Sequence, residues 1–187
     1  MSTAVPMERV AEASPFFKAR IAGVFYLLTF LTGGLALFVR GKLGSAAGLS
    51  AGACYIAVTL LFYGIFRPVN RNLSLVAAFI SLVGIIMGPL SLLRLVPSNL
   101  NPLVFFGFYC ILIGYLIFQS TFLPRILGAL MAFGGLGWLT FLSPPLANHL
   151  FPYNLAPGII GEGALTLWLL VMGVNVQRWR EQASGSR

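Results

Sequence analysis

Glu162 is where any chemistry in this chain has to start. Of its four acidic residues none is Asp, and only Glu162 stands inside a long apolar run. Gly161 and Gly163 flank it and permit close approach by a helix or a ligand. The cation able to meet it is Arg94, near the end of another apolar run. If the runs cross a bilayer in alternation, both residues fall in the outer half, and an Arg side chain reaches several ångströms. A charged residue at the bilayer centre costs ~2.5–3.5 kcal/mol on insertion scales, and less nearer the surface. Glu162 is therefore expected to be protonated or to pair with a cation. Ser91, Ser98, Tyr109, Asn148, His149, Tyr153 and Thr166 are the polar side chains that could complete a pocket with the pair. Two readings stay open. One is a ligand site on the outer side; the other is an ion pair that staples two helices and fixes their register.

Other chemistry is excluded by scarcity. One His, no Asp and two scattered Cys leave no ligand set for zinc and no carboxylate cluster for magnesium, so no metal or cofactor is expected. The paired carboxylates of a glycosidase are absent. Cys54 and Cys110 form no CxxC motif and read as buried free thiols. An intramembrane enzyme would need a nucleophile, a base and an orienting group at close range. Glu162 with Tyr109 or His149 is the one conceivable acid–base pairing, so no catalytic residue is assigned. A single buried carboxylate also makes a poor proton relay.

The elements that must position Glu162 are membrane spans. The chain is 58% hydrophobic and 9% charged, with a mean hydropathy of +0.92. A soluble domain carries about 25% charged residues, and this surface in water would expose apolar patches that soluble monomers avoid. Six apolar runs are bounded by charges, Pro or Asn, at about 21–39, 46–66, 73–95, 102–118, 126–142 and 157–176. About 20 helical residues cross a ~30 Å hydrocarbon core, so each run is long enough to span, the fourth and fifth only just. The first run exceeds the length of a signal-peptide core and reads as a retained helix. The fold class expected is an all-α bundle of six transmembrane helices. Its domain occupies 18–178, between a segment 1–17 and a tail 179–187. Pro15, Pro102, Pro124 and Pro157 mark helix starts, and Asn72 is the expected cap of the third span. Pro89 within that span frees a carbonyl that Ser91 is placed to satisfy.

Orientation follows from Lys and Arg. Nine of the twelve, among them Lys18, Arg20, Arg67, Arg71, Arg125, Arg178 and Arg180, fall on the side of the N-terminus. Arg40, Lys42 and Arg94 fall on the other. Cytoplasmic loops hold the excess, so both termini are expected inside. The formal charge of +8 then reads as topology and anionic lipid rather than nucleic acid. Arg67, Arg71 and Arg125 beside the membrane ends could contact lipid phosphate, or serve as anchors alone. The long outer connection, 143–156, is expected to hold a short surface helix or a lid.

Small residues let membrane helices approach closely. Gly44, Gly48 and Gly52 form a stripe at four-residue spacing on the second span, open to another helix of the chain, to a second copy or to another membrane protein. Tyr55, Thr59 and Tyr63 continue that side, and Tyr26, Thr29 and Gly33 line the first span.

Some segments are familiar. Arg20-Ile-Ala-Gly-Val-Phe-Tyr-Leu opens the first span, and Phe66-Arg-Pro-Val-Asn-Arg-Asn-Leu73 forms the first inner loop. Gly114-Tyr-Leu-Ile-Phe leads to Phe122-Leu-Pro-Arg-Ile-Leu-Gly128. Together they resemble the bacterial integral-membrane family catalogued as domain of unknown function 4386, over roughly residues 18 to 180. The resemblance implies a multi-span inner-membrane protein and brings no activity with it. This chain departs from the family pattern in a short first connection, and in Tyr109 where members often have a His.

The function expected is binding or permeation of a small or lipid-like ligand at an outward pocket around Arg94 and Glu162. The alternative is an accessory protein that packs against a partner through its glycine faces.

Overall fold

The computed structural model describes residues 14–93, 95 and 101–185, and every regular element among them is helical. The helices are α1 (Pro15–Phe38), α2 (Lys42–Phe66), α3 (Arg71–Leu92), α4 (Leu103–Gln119), α5 (Arg125–Leu139), α6 (Pro144–Leu150), α7 (Ala156–Val171) and α8 (Val176–Gly185). Five helical stretches are long and apolar enough to cross a membrane, those built on α1, α2, α3, α5 and α7. Helix α4 has 17 residues and is shorter, at about 25 Å. The chain reads as a multi-pass membrane protein on these lengths.

Local chemistry sets most boundaries. Pro15 and Pro144 occupy the first turns of α1 and α6, where a missing N–H leaves no bond unmade. The cap of α3 is Asn70, not Asn72: its backbone is extended and its Oδ1 accepts from Leu73 N at 3.0 Å. Asn72 lies one residue inside the helix. Asn101 Oδ1 accepts from Leu103 N, also at 3.0 Å, and starts α4. Helix α3 runs on through Pro89. Ser91 Oγ donates to the Met87 carbonyl at 2.8 Å, so it does not serve the Ile85 carbonyl that Pro89 leaves free.

The long helices close into a ring. Helix α1 packs on α2, α2 on α3, α3 on α4, α4 on α5, α5 on α7, and α7 returns to α1. Short connections make successive helices antiparallel, and an even number lets the last lie beside the first. The centre is filled by side chains, with Tyr26, Phe62, Tyr109, Ile113, Met131 and Leu165 among the most buried. Lipid offers no hydrophobic drive to join helices, so close backbone packing has to supply it. A Cβ on Gly114 would lie 2.7 Å from the Gly128 carbonyl oxygen, and one on Gly128 would lie 2.7 Å from that of Gly114. A Cβ on Gly161 would collide with the Leu130 carbonyl. These contacts hold α4 to α5 and α5 to α7.

The last long helix is shorter than its apolar run. It stops at Val171, and Gly173 turns the chain in the left-handed region at φ +64°. A side chain there would also strike the Phe16 ring. Beyond the turn lies a polar helix, α8, rather than a tail, with Asn175 Oδ1 capping Arg178 N at 3.1 Å. Trp179 Nε1 donates to the Ile65 carbonyl at 2.9 Å. Gln182 accepts from Thr121 N and donates to the Gln119 carbonyl. Arg20 donates to the Val171 carbonyl at 3.0 Å, where the helix dipole is negative. Both ends of the described chain therefore share one end of the ring with the α2–α3 and α4–α5 connections.

Candidate functional site

Six residues into α7, roughly 9 Å from its start, Glu162 points into the ring and is 7% exposed. Its neighbours come from α1, α2, α4 and α5. Tyr26 on α1 donates to Oε2 at 2.6 Å, and Tyr55 on α2 lies 3.4 Å from the same oxygen. Trp138 on α5 donates from Nε1 to Oε1 at 2.7 Å. The two phenol oxygens are 3.3 Å apart. Cys110 on α4 brings its thiol within range of the carboxyl. An indole N–H can only donate, so Oε1 must accept, and the short distances mark strong bonds. Among the described residues no cation pairs with Glu162.

The two tyrosines that touch this carboxyl belong to a cluster of rings. Tyr26 meets Tyr55 edge-on at 5.5 Å between centroids and stacks on Phe30 at 5.8 Å. Tyr55 meets Phe106 at 4.9 Å and Tyr109 at 5.9 Å. Tyr109 is buried, and its hydroxyl faces the Thr59 hydroxyl without closing a hydrogen bond. Thr59 is engaged elsewhere, with Ser81 Oγ at 2.7 Å and the Tyr55 carbonyl at 2.8 Å. The unpaired phenol is anomalous, because buried polar groups normally find partners.

Of the residues read from sequence, Glu162 and Tyr109 meet at this centre. Thr166 is buried one turn along α7, where its hydroxyl donates to the Glu162 carbonyl at 2.7 Å and holds the helix rather than the carboxyl. Ser91 is spent on Met87. Asn148 and His149 are exposed on α6, and Tyr153 is 80% exposed in the turn before α7. None of these three reaches the ring's centre. Arg94 and Ser98 lie outside the described residues. Arg67, Arg71 and Arg125 are exposed at the end of the ring that carries α8.

The glycine stripe faces its own chain. Gly44 is buried against the Val39 carbonyl. A Cβ on Gly48 would touch Ala36 at 3.7 Å, and one on Gly52 would touch Ile85 at 3.5 Å, although Gly48 keeps an exposed side.

Sequence reasoning missed Tyr26, Tyr55, Trp138 and Cys110 as partners of Glu162. A usable signal existed for the tyrosines. A phenol near the middle of an apolar span must find a partner, because lipid provides none.

Most of this centre falls in a stretch shared with other proteins. Residues 98–173 match the family model described as domain of unknown function (DUF4386). The matched stretch holds α4, α5, α6 and α7, and so contains Glu162, Trp138, Tyr109 and Cys110. Tyr26 and Tyr55 are supplied from outside it. Of the motifs that suggest the family, those at 114–118 and 122–128 lie within the match. An uncharacterized protein of Archaeoglobus fulgidus is 25% identical over 127 residues, or 63% of this chain and 76% of that protein. No solved structure matches.

Proposed function

We propose that the protein is a six-span membrane protein that binds, and passes or presents, a small or lipid-like ligand at a site around Glu162. The sixth span is α4, which sits in the ring between α3 and α5 although it is short. Both termini are cytoplasmic in this reading. Lys18, Arg20, Arg67, Arg71, Arg125, Arg178 and Arg180 share the end that carries α8, while Arg40 and Lys42 are at the other, as expected for an inner membrane. The site then lies in the outer half, where Arg94 is expected.

One observation carries the functional part. The single acidic residue within a described span is buried and takes donors from three other helices, with no cation among the described residues beside it. Register alone could be set by apolar packing at far lower cost. The reading of an accessory protein has less support, because the glycine stripe is directed at α1 and α3.

The test is retention of a ligand. Wild type and Glu162→Gln are purified in a mild neutral detergent and compared by native mass spectrometry. The expected result is a bound mass on the wild type that the variant loses, with both proteins still folded. Equal retention by the two would refute the proposal.

A further inference from the structure

From the same site we infer that the ligand is an organic cation, an ammonium group with apolar substituents. The inference rests on the reading of Glu162 as a binding site and narrows it. Three features of the centre point one way. The carboxyl is offered without a counter-cation among the described residues. Its two oxygens provide about four lone-pair sites; three take strong N–H or O–H donors, and only the weakly donating Cys110 thiol is in range of the fourth. Tyr26, Tyr55 and Trp138 touch the carboxyl, and Phe30, Phe106 and Tyr109 pack on those two tyrosines, so that rings from four helices gather at the centre. Aromatic faces attract cations through the ring quadrupole, most strongly where water is excluded.

The independent sign is Tyr109. Its residue is 1% exposed, yet its hydroxyl has no hydrogen-bond partner. It lies within electrostatic range of Glu162, on the ring that meets Tyr55. A hydroxyl has two acceptor lone pairs as well as one proton. An ammonium or polarised N–CH group held by Glu162 would find an acceptor waiting there. An anion would meet the carboxylate and be repelled, and a neutral apolar ligand would leave both oxygen groups unmatched.

The ammonium could belong to a free amine or to an amine-bearing lipid. The experiment uses the full chain in neutral maltoside detergent, with Trp168→Phe and Trp179→Phe so that Trp138 is the remaining fluorophore. Four probes are titrated: tetraethylammonium, dodecyltrimethylammonium, dodecyl sulfate and dodecanol. Both cations, or the tailed one alone, should alter Trp138 emission saturably, and which of them binds tells a free amine from a lipid-like one. Glu162→Gln should weaken that binding on the order of tenfold or more, because a quaternary ammonium is held by the carboxylate's charge, which Gln lacks. Should Glu162→Gln fail to fold, Tyr109→Phe serves instead. It should weaken the cation several-fold while leaving the melting temperature unchanged, since the hydroxyl makes no bond to lose. Cation binding that is indifferent to the substituted residue would overturn the inference. Glu162-dependent binding of dodecyl sulfate or dodecanol in place of the cations would overturn it too, but would leave the broader reading standing. Binding of no probe, joined to equal ligand retention in the mass spectra, would remove both.

Discussion

The phenol of Tyr26 donates to Oε2 of Glu162 at 2.6 Å, tying the first long helix to the last at the centre of the ring. Tyr26→Phe keeps the ring, its stacking on Phe30 and its volume, and removes the hydroxyl that serves Glu162 and faces that of Tyr55. A bond to a carboxyl left unmade in a buried site should lower stability by about 1.5–3 kcal/mol. Thermal unfolding in detergent is the measurement. An unchanged midpoint would mean that the bond does not hold α1 to α7.

Neighbouring glycines should behave in opposite ways. Gly161 lies against the Leu130 backbone, whereas a Cβ on Gly163 would have nothing within 4 Å. Backbone cannot yield as a flexible side chain can, so Gly161→Ala should cost about 1–3 kcal/mol by overpacking. Gly163→Ala should stay within about 0.5 kcal/mol of wild type. Equal melting temperatures for the two variants would contradict the α5–α7 contact.

Helix α8 should protect the α4–α5 connection. Gln182 Oε1 accepts from Thr121 N at 3.0 Å. Gln182→Ala removes that acceptor, and hydrogen exchange across 119–123 should quicken about fivefold, for the ~1 kcal/mol of one such bond. The far end of the ring, around α6, should exchange as before. No change at 119–123 would detach α8 from that connection.

Orientation is open to a labelling test. With Cys54 and Cys110 replaced by Ala, His149→Cys should react in intact cells with a thiol reagent that cannot cross membranes. Arg71→Cys and Arg125→Cys should react only after the cells are opened. The reverse pattern would put the basic end outside and sink the proposed topology.

Legibility in the sequence varied with the range of the force involved. Runs such as 73–95 announce a helix because lipid leaves backbone groups no partner but their own chain. Asn70 shows where that reading slips: a cap depends on the backbone angles of one residue, and Asn70 and Asn72 are alike in composition. Most of the helix after Asn175 reads as a tail from sequence because it is largely polar. Only its bonds to Ile65, Gln119 and Thr121 give it a place. Glu162 stands out from sequence because an acid inside an apolar run is rare. Its neighbours do not, since Tyr26, Tyr55 and Trp138 lie 136, 107 and 24 residues away along the chain.

The sequence by itself determined that this chain is helical, that most of it suits hydrocarbon, and which carboxyl would be isolated there. Composition and run length decide those matters, because each residue's transfer between water and lipid is nearly independent of the rest. The tertiary structure decided what surrounds that carboxyl. Closing the ring sets the rotation of every helix about its axis, and that rotation turns two phenols and an indole toward Glu162 while leaving His149 and Tyr153 exposed. No local pattern encodes such a rotation; it emerges when all the glycine contacts between helices are satisfied at once.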